Sequence, residues 1–151
     1  MKHNRMLISS LMVLLLTVSV VVVAQVNRPF RNGSVWNISF IKMKPGMENA
    51  YQNYVASEWK REQEALKKDG QILSYKVITT EAHGSNDWNI MLMTEYKDLT
   101  TMEANADKAE QLGQQLFGGT PKIEAGYMDR ASYRDIIGSR LAREIVLEPK
   151  K

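Results

Sequence analysis

The chain has 151 residues, 44% of them apolar, with 20 Lys and Arg against 17 Asp and Glu and no cysteine. That length suffices for one core and hardly for two, and the lack of cysteine excludes disulfides and a lipid-anchored lipoprotein. Lys2 and Arg5 supply two of the basic residues in a segment without acids, so the rest is nearly neutral. No basic stripe with interleaved aromatics is visible, and no nucleic-acid partner is expected.

Residues 1–24 open with Lys2 and Arg5 and continue through an uncharged run of Leu, Val, Met and Ile. Basic first and apolar second is the order of a secretory signal, and Val22-Val23-Ala24 places a peptidase cut between Ala24 and Gln25. The alternative is an uncleaved anchor, because the run lies at the lower edge of the roughly 17–25 residues that span a bilayer. Contact with a membrane is expected only in that case. Either way the domain is exported, to a periplasm or beyond the cell. Residues 25–34, polar and holding Pro29 and Gly33, read as a flexible leader; residues 35–148 form the domain and 149–151 a tail.

Residues 35–43 alternate as a half-buried strand, with Trp36, Ile38 and Phe40 on one face and Asn37, Ser39 and Ile41 on the other. Lys44-Pro45-Gly46 stops it. Met47, Tyr51, Tyr54, Val55, Trp59, Glu62 and Leu66 then recur at helical spacing, and Asp69-Gly70 closes that helix behind Lys67 and Lys68. Residues 72–80 and 89–96 are β-rich and flank a polar turn around Gly84, as in an antiparallel hairpin. Thr100 with Glu103 matches a capping box for a second helix carrying Met102, Ala106, Ala109, Leu112 and Leu116, which Gly118-Gly119-Thr120-Pro121 breaks. Residues 123–138 read as either a short helix or an ordered loop. Residues 140–147 favour a last strand through Ile145-Val146-Leu147, with a helix as the alternative.

The order β-α-β-β-α-β predicts an α+β, ferredoxin-like domain: a four-stranded antiparallel sheet with two helices on one face. Residues 36–42, the Lys44-Pro45-Gly46 turn opening a helix with Tyr51 and Trp59, and Asp87-Trp88-Asn89-Ile90-Met91-Leu92 resemble the dimeric α/β-barrel superfamily. That superfamily includes cofactor-free antibiotic-type monooxygenases and uncharacterised exported members. The resemblance covers residues 35–148 and implies a homodimer whose paired sheets enclose a space for a small ligand. It transfers no catalytic motif to named positions, since fold does not fix function.

Only two histidines occur, and His3 lies in the signal. A metal site would rest on His83 with Glu81 and Asp87, which falls short of the ligand sets zinc requires, so neither metal nor cofactor is expected. Some relatives bind haem; nothing but His83 speaks to that. No nucleophile elbow or phosphate-binding loop is present.

The most informative feature is the sheet face away from the helices. If Ile38, Phe40, Ile90 and Leu92 point to the helices, alternation sends Asn37, Ser39, Met91, Met93 and Glu95 to the other side, joined by Lys76 and Glu144. These seven are the candidate ligand-binding residues, with Glu95 the pivotal polar group; a solvated face with ordinary ion pairs is the competing reading. Ile41, Met91 and Met93 give that face apolar surface to pair with a second copy. The expected function is binding of a small organic molecule. Rival readings are a cofactor-independent monooxygenase or lyase using Glu95 or Glu144 as base, and a structural domain with a filled barrel.

Overall fold

The computed structural model describes residues 28–81, 84 and 87–148. The expected signal at 1–24, the tail at 149–151 and His83 lie outside the described residues. None of the described helices is long and apolar enough to cross a membrane.

The first strand, β1 (Phe30–Met43), begins before Val35, so the end of the expected leader is strand. Its partner explains this. Ile145, Val146 and Leu147 of the last strand offer a backbone ladder to Asn32, Arg31 and Phe30, and ladder pairing requires no hydrophobic alternation. Arg31 Nε also meets Glu148 Oε1 at 3.0 Å. The ladder slips between Asn32 and Val35. A Cβ at Gly33 would lie 2.6 Å from Glu144 Oε2, so a larger residue there requires the Glu144 side chain to shift.

A turn through Gly46, at φ +78°, leads to α1 (Glu48–Tyr54), a π-helical segment (Val55–Trp59) and α2 (Lys60–Lys68). Tyr51, Val55, Trp59 and Gln63 are all buried. In a regular α-helix, side chains four apart drift by about 40° per step; the wider π turn reduces that drift and keeps these four on one side. Gly70, at φ +74°, ends the helix as expected.

The hairpin of β2 (Ser74–Thr79) and β3 (Ile90–Tyr96) follows. Helix α3 (Leu99–Ala104) starts from Asp98, whose Oδ1 accepts the Thr101 N–H at 2.7 Å. The Thr100–Glu103 capping box is therefore not the cap; Asp98, extended and anionic, already occupies that position. Helix α4 (Ala106–Phe117) ends at Gly118, φ +83°, and α5 (Thr120–Arg130) begins beyond Gly119 with Pro121 in its first turn. The segment 123–138 thus divides between a helix and β4 (Arg134–Leu147), a strand that begins at Arg134 rather than Arg140.

All pairings are antiparallel, and the strand order is β2-β3-β1-β4. Ile41, Met43, Tyr51, Val55, Trp59, Ile90 and Leu92 form the core between β1, β3 and the α1–α2 helix. Register corrects one expectation. Ile38 opposes Met93 and Phe40 opposes Met91, whereas Ser39 opposes Leu92 and Ile41 opposes Ile90. Opposed residues share a face, so Ile38 and Phe40 point away from the helices, and Asn37 and Ser39 point towards them.

Helix α4 packs on α2, and α5 on α4. The second helical layer is thus held by the first helix more than by the sheet.

Candidate functional site

Because α4 and α5 stand off the sheet, a cavity of about 760 Å³ remains between helices and strands. Asn37, Ser39 and Ile41 of β1 and Leu92, Thr94 and Tyr96 of β3 form its floor. Tyr51, Tyr54, Trp59 and Glu62 line one wall. Gly113 and Phe117 of α4 and Tyr127 and Arg130 of α5 line another, and Arg134 and Ile136 of β4 close the end. The volume falls within the roughly 300–1,000 Å³ usual for small-molecule sites.

Its walls combine rings with hydrogen-bond donors. Burial pushes the Tyr51 phenol up to about 12, against an opposing pull from Arg134. Tyr54 is raised by burial, against Arg130, and Tyr96 by burial and then by the charge of Glu62. All three therefore stay protonated at neutral pH and keep an O–H to donate to a ligand. Glu62 is itself raised, first by burial, with Arg130 pulling the other way. Helix α4 passes close to it; a Cβ at Gly113 would sit 3.9 Å from Glu62 Oε1. Gln63 and Thr94 are satisfied by each other, Thr94 Oγ1 donating to Gln63 Oε1 at 2.9 Å.

Arg130 is the most unusual residue in the site: 8% exposed and charged. Its guanidinium lies 4.6 Å from the Tyr54 ring centre and 4.5 Å from that of Tyr127. Arg134 lies over Tyr51 at 5.5 Å. The Nε of each arginine is buried without a hydrogen-bond partner. Removing an ion from water costs several kcal/mol even after relaxation, and a desolvated cation–π contact returns about 2 kcal/mol. The rings offset part of that cost. An acceptor in the cavity would offset the rest.

The seven residues proposed from sequence divide between the two faces of the sheet, with Lys76, Met91, Met93 and Glu95 together on the face away from the helices as expected. Asn37 and Ser39 reach this cavity, while Lys76, Met91, Met93, Glu95 and Glu144 do not line it. Lys76 Nζ lies 5.0 Å from the Trp36 ring centre, and Glu95 Oε2 accepts from Ser74 Oγ at 2.5 Å. Glu144 is exposed and accepts from Ser34 Oγ at 3.2 Å. Tyr51, Tyr54, Glu62, Tyr96, Arg130 and Arg134 are the cavity residues that sequence reasoning missed. The available signal was Tyr127, Arg130, Tyr133 and Arg134, a cation–ring spacing at a helix–strand junction. Among the described residues no group of His, Asp or Glu is arranged to hold a metal ion.

Four antiparallel strands in this order, with helices after β1 and β3, define a ferredoxin-like α+β fold. No family model and no curated relative matches the chain. Among solved structures it is similar to HapK from Hahella chejuensis, at 9% identity and a TM-score of 0.48, over 73% of this chain and 91% of that one. It is similar to a dimeric protein of unknown function with a ferredoxin-like fold from Bacteroides fragilis, at 20% identity and 0.40, over 76% and 97%. A NIPSNAP family protein of unknown function from Agrobacterium tumefaciens aligns at 15% identity and 0.45, over 77% and 90%. At these identities the likeness is one of fold.

Proposed function

We propose that the protein is an exported homodimer that binds a small organic molecule in the cavity between the helices and the sheet. The observation that carries this reading is the cavity itself, ringed by Tyr51, Tyr54, Tyr96, Arg130 and Arg134. Dimerisation is supported by the other sheet face, where Trp36, Ile38, Phe40, Met91 and Met93 are only half-buried and Ile78 is exposed. Apolar surface gathered on one face in this way suits pairing with a second copy. The two sheet faces then have separate roles, with the ligand on one and the partner on the other.

Replacing Gly113 by leucine tests the cavity. The new side chain enters it beside Glu62, and the helix gains from losing a glycine. Small molecules released from natively purified protein are measured by mass spectrometry; wild type is expected to carry a compound that Gly113→Leu lacks at undiminished melting temperature. Equal retention by both rejects the cavity as the site.

One observation favours a second reading, a cofactor-independent oxygenase or lyase. Glu62 is a cavity carboxyl whose pKa is raised, which suits proton transfer, and it takes the place expected of Glu95 or Glu144. In that case Glu62→Gln retains the compound and abolishes its turnover.

A further inference from the structure

We infer that the cavity takes an aromatic carboxylate, its anionic group held by Arg130 and Arg134 and its ring lying among the tyrosines. This rests on the cavity being the ligand site and goes further, to the chemical class of the ligand.

Arg130 closes α5, where the negative end of the helix favours a cation. That accounts for a positive charge at this place but not for a buried Nε with no partner. The two ring contacts place the guanidinium carbon over the Tyr54 and Tyr127 rings, at 4.6 and 4.5 Å. A ring face is no substitute for a lone-pair acceptor, so the Nε edge still has a donor to offer another group. A carboxylate meets such an edge with two parallel hydrogen bonds, a match that a spherical anion does not reproduce. Arg134, over Tyr51, lines the same cavity and also has a buried Nε without a partner. No carboxylate of the protein forms an ion pair with either arginine among the described residues.

The site is shaped around this arginine. A Cβ at Gly126 would lie 2.9 Å from Arg130 Nη1, so the absence of a side chain there makes room for the guanidinium. Two other charged residues of the lining have partners of their own. Arg61 donates to the Leu116 carbonyl at 3.3 Å, and Glu110 accepts from Gln114 at 3.2 Å. Glu62 feels the charge of Arg130, yet burial outweighs that attraction and leaves it easier to protonate than an ordinary glutamate. The remaining lining, including Tyr51, Tyr54, Trp59, Phe117 and Tyr127, presents rings for a ring to pack against.

The test is calorimetric titration at pH 7 with 2-naphthoate, its neutral counterpart 2-naphthamide, and inorganic phosphate. Naphthoate is expected to bind at least about tenfold more tightly than the amide, the margin of a charge-assisted hydrogen bond. Arg130→Gln and Arg134→Gln should each remove that margin and leave amide binding as it is. If Arg130→Gln does not fold, Gly126→Ala displaces the same guanidinium and is expected to act in the same direction. Equal affinity for acid and amide overturns the carboxylate assignment and leaves the cavity as the site. Phosphate displacing naphthoate at equal concentration also overturns it, in favour of a small inorganic anion. Failure of both naphthyl compounds to bind folded wild type overturns the assignment and the cavity reading together.

Discussion

Gly113 and Gly126 permit a paired measurement in which the backbone contribution cancels. Both lie inside helices and neither has positive φ, so replacement by alanine should gain about 1 kcal/mol of helix propensity at each. At Gly113 the added Cβ meets nothing nearer than Glu62 Oε1 at 3.9 Å, an ordinary contact. Gly113→Ala should therefore keep most of that gain, a rise in melting temperature of roughly 4 °C for a domain of this size. At Gly126 the Cβ falls 2.9 Å from Arg130 Nη1, and the guanidinium must move. Moving it weakens contacts with Tyr54 and Tyr127 worth about 0.5–2 kcal/mol each. Gly126→Ala should thus be neutral or destabilising, by up to about 3 kcal/mol. Thermal and urea denaturation of the two variants against wild type provide the comparison. Equal stabilisation by both would show that Arg130 is not held where Gly126 admits it, and the account of the anion site would fail with it.

Trp59 is 9% exposed and packs edge-on against Tyr75 with ring centres 5.4 Å apart; Trp59→Ala should cost about 3–5 kcal/mol in urea unfolding. Glu62, raised by burial, destabilises the folded state once ionised, so the stability it allows is complete below the unfolded carboxylate pKa and is lost as pH rises through the folded value. Glu62→Gln should accordingly raise the melting temperature at pH 7, with the gain vanishing below about pH 4.5, and a pH-independent difference would contradict the desolvation argument. Met93→Glu places a charge in the middle of the uncovered sheet face and should convert dimer to monomer in light scattering without unfolding the domain; a wild type that is itself monomeric at high micromolar concentration removes the dimer.

Elements whose evidence was local were legible in the sequence. The periodic run from Tyr51 to Leu66, closed by Gly70, reads as a helix because burial, propensity and termination agree there. Phe30 and Arg31 were not legible as strand, since what recruits them is Val146 and Leu147, far along the chain. Residues 123–138 were ambiguous for a related reason. Their helix begins immediately after two glycines of positive φ, so the signal that ended α4 concealed the start of α5.

The location of the site depended on a quantity that alternation cannot supply. Alternation divides β1 into two sets, Trp36-Ile38-Phe40 and Asn37-Ser39-Ile41, without indicating which set meets the helices. By hydrophobicity alone the first set wins. In the structure Ile41 and Met43 anchor the strand in the core beneath Tyr51 and Val55, and the faces of the β1 residues back to Val35 follow from that end. Asn37 and Ser39 then lie on the helical side, where polar floor residues are tolerated because α4 and α5 leave space above them. Trp36, Ile38 and Phe40 are left opposite, beside Met91 and Met93, as apolar surface that none of the described helices covers. One register thus produces both a polar cavity under the helices and a sticky sheet outside them. Assigning the first set to the helices therefore groups Asn37 and Ser39 with Met91 and Met93, whereas the register puts them on opposite faces of the sheet.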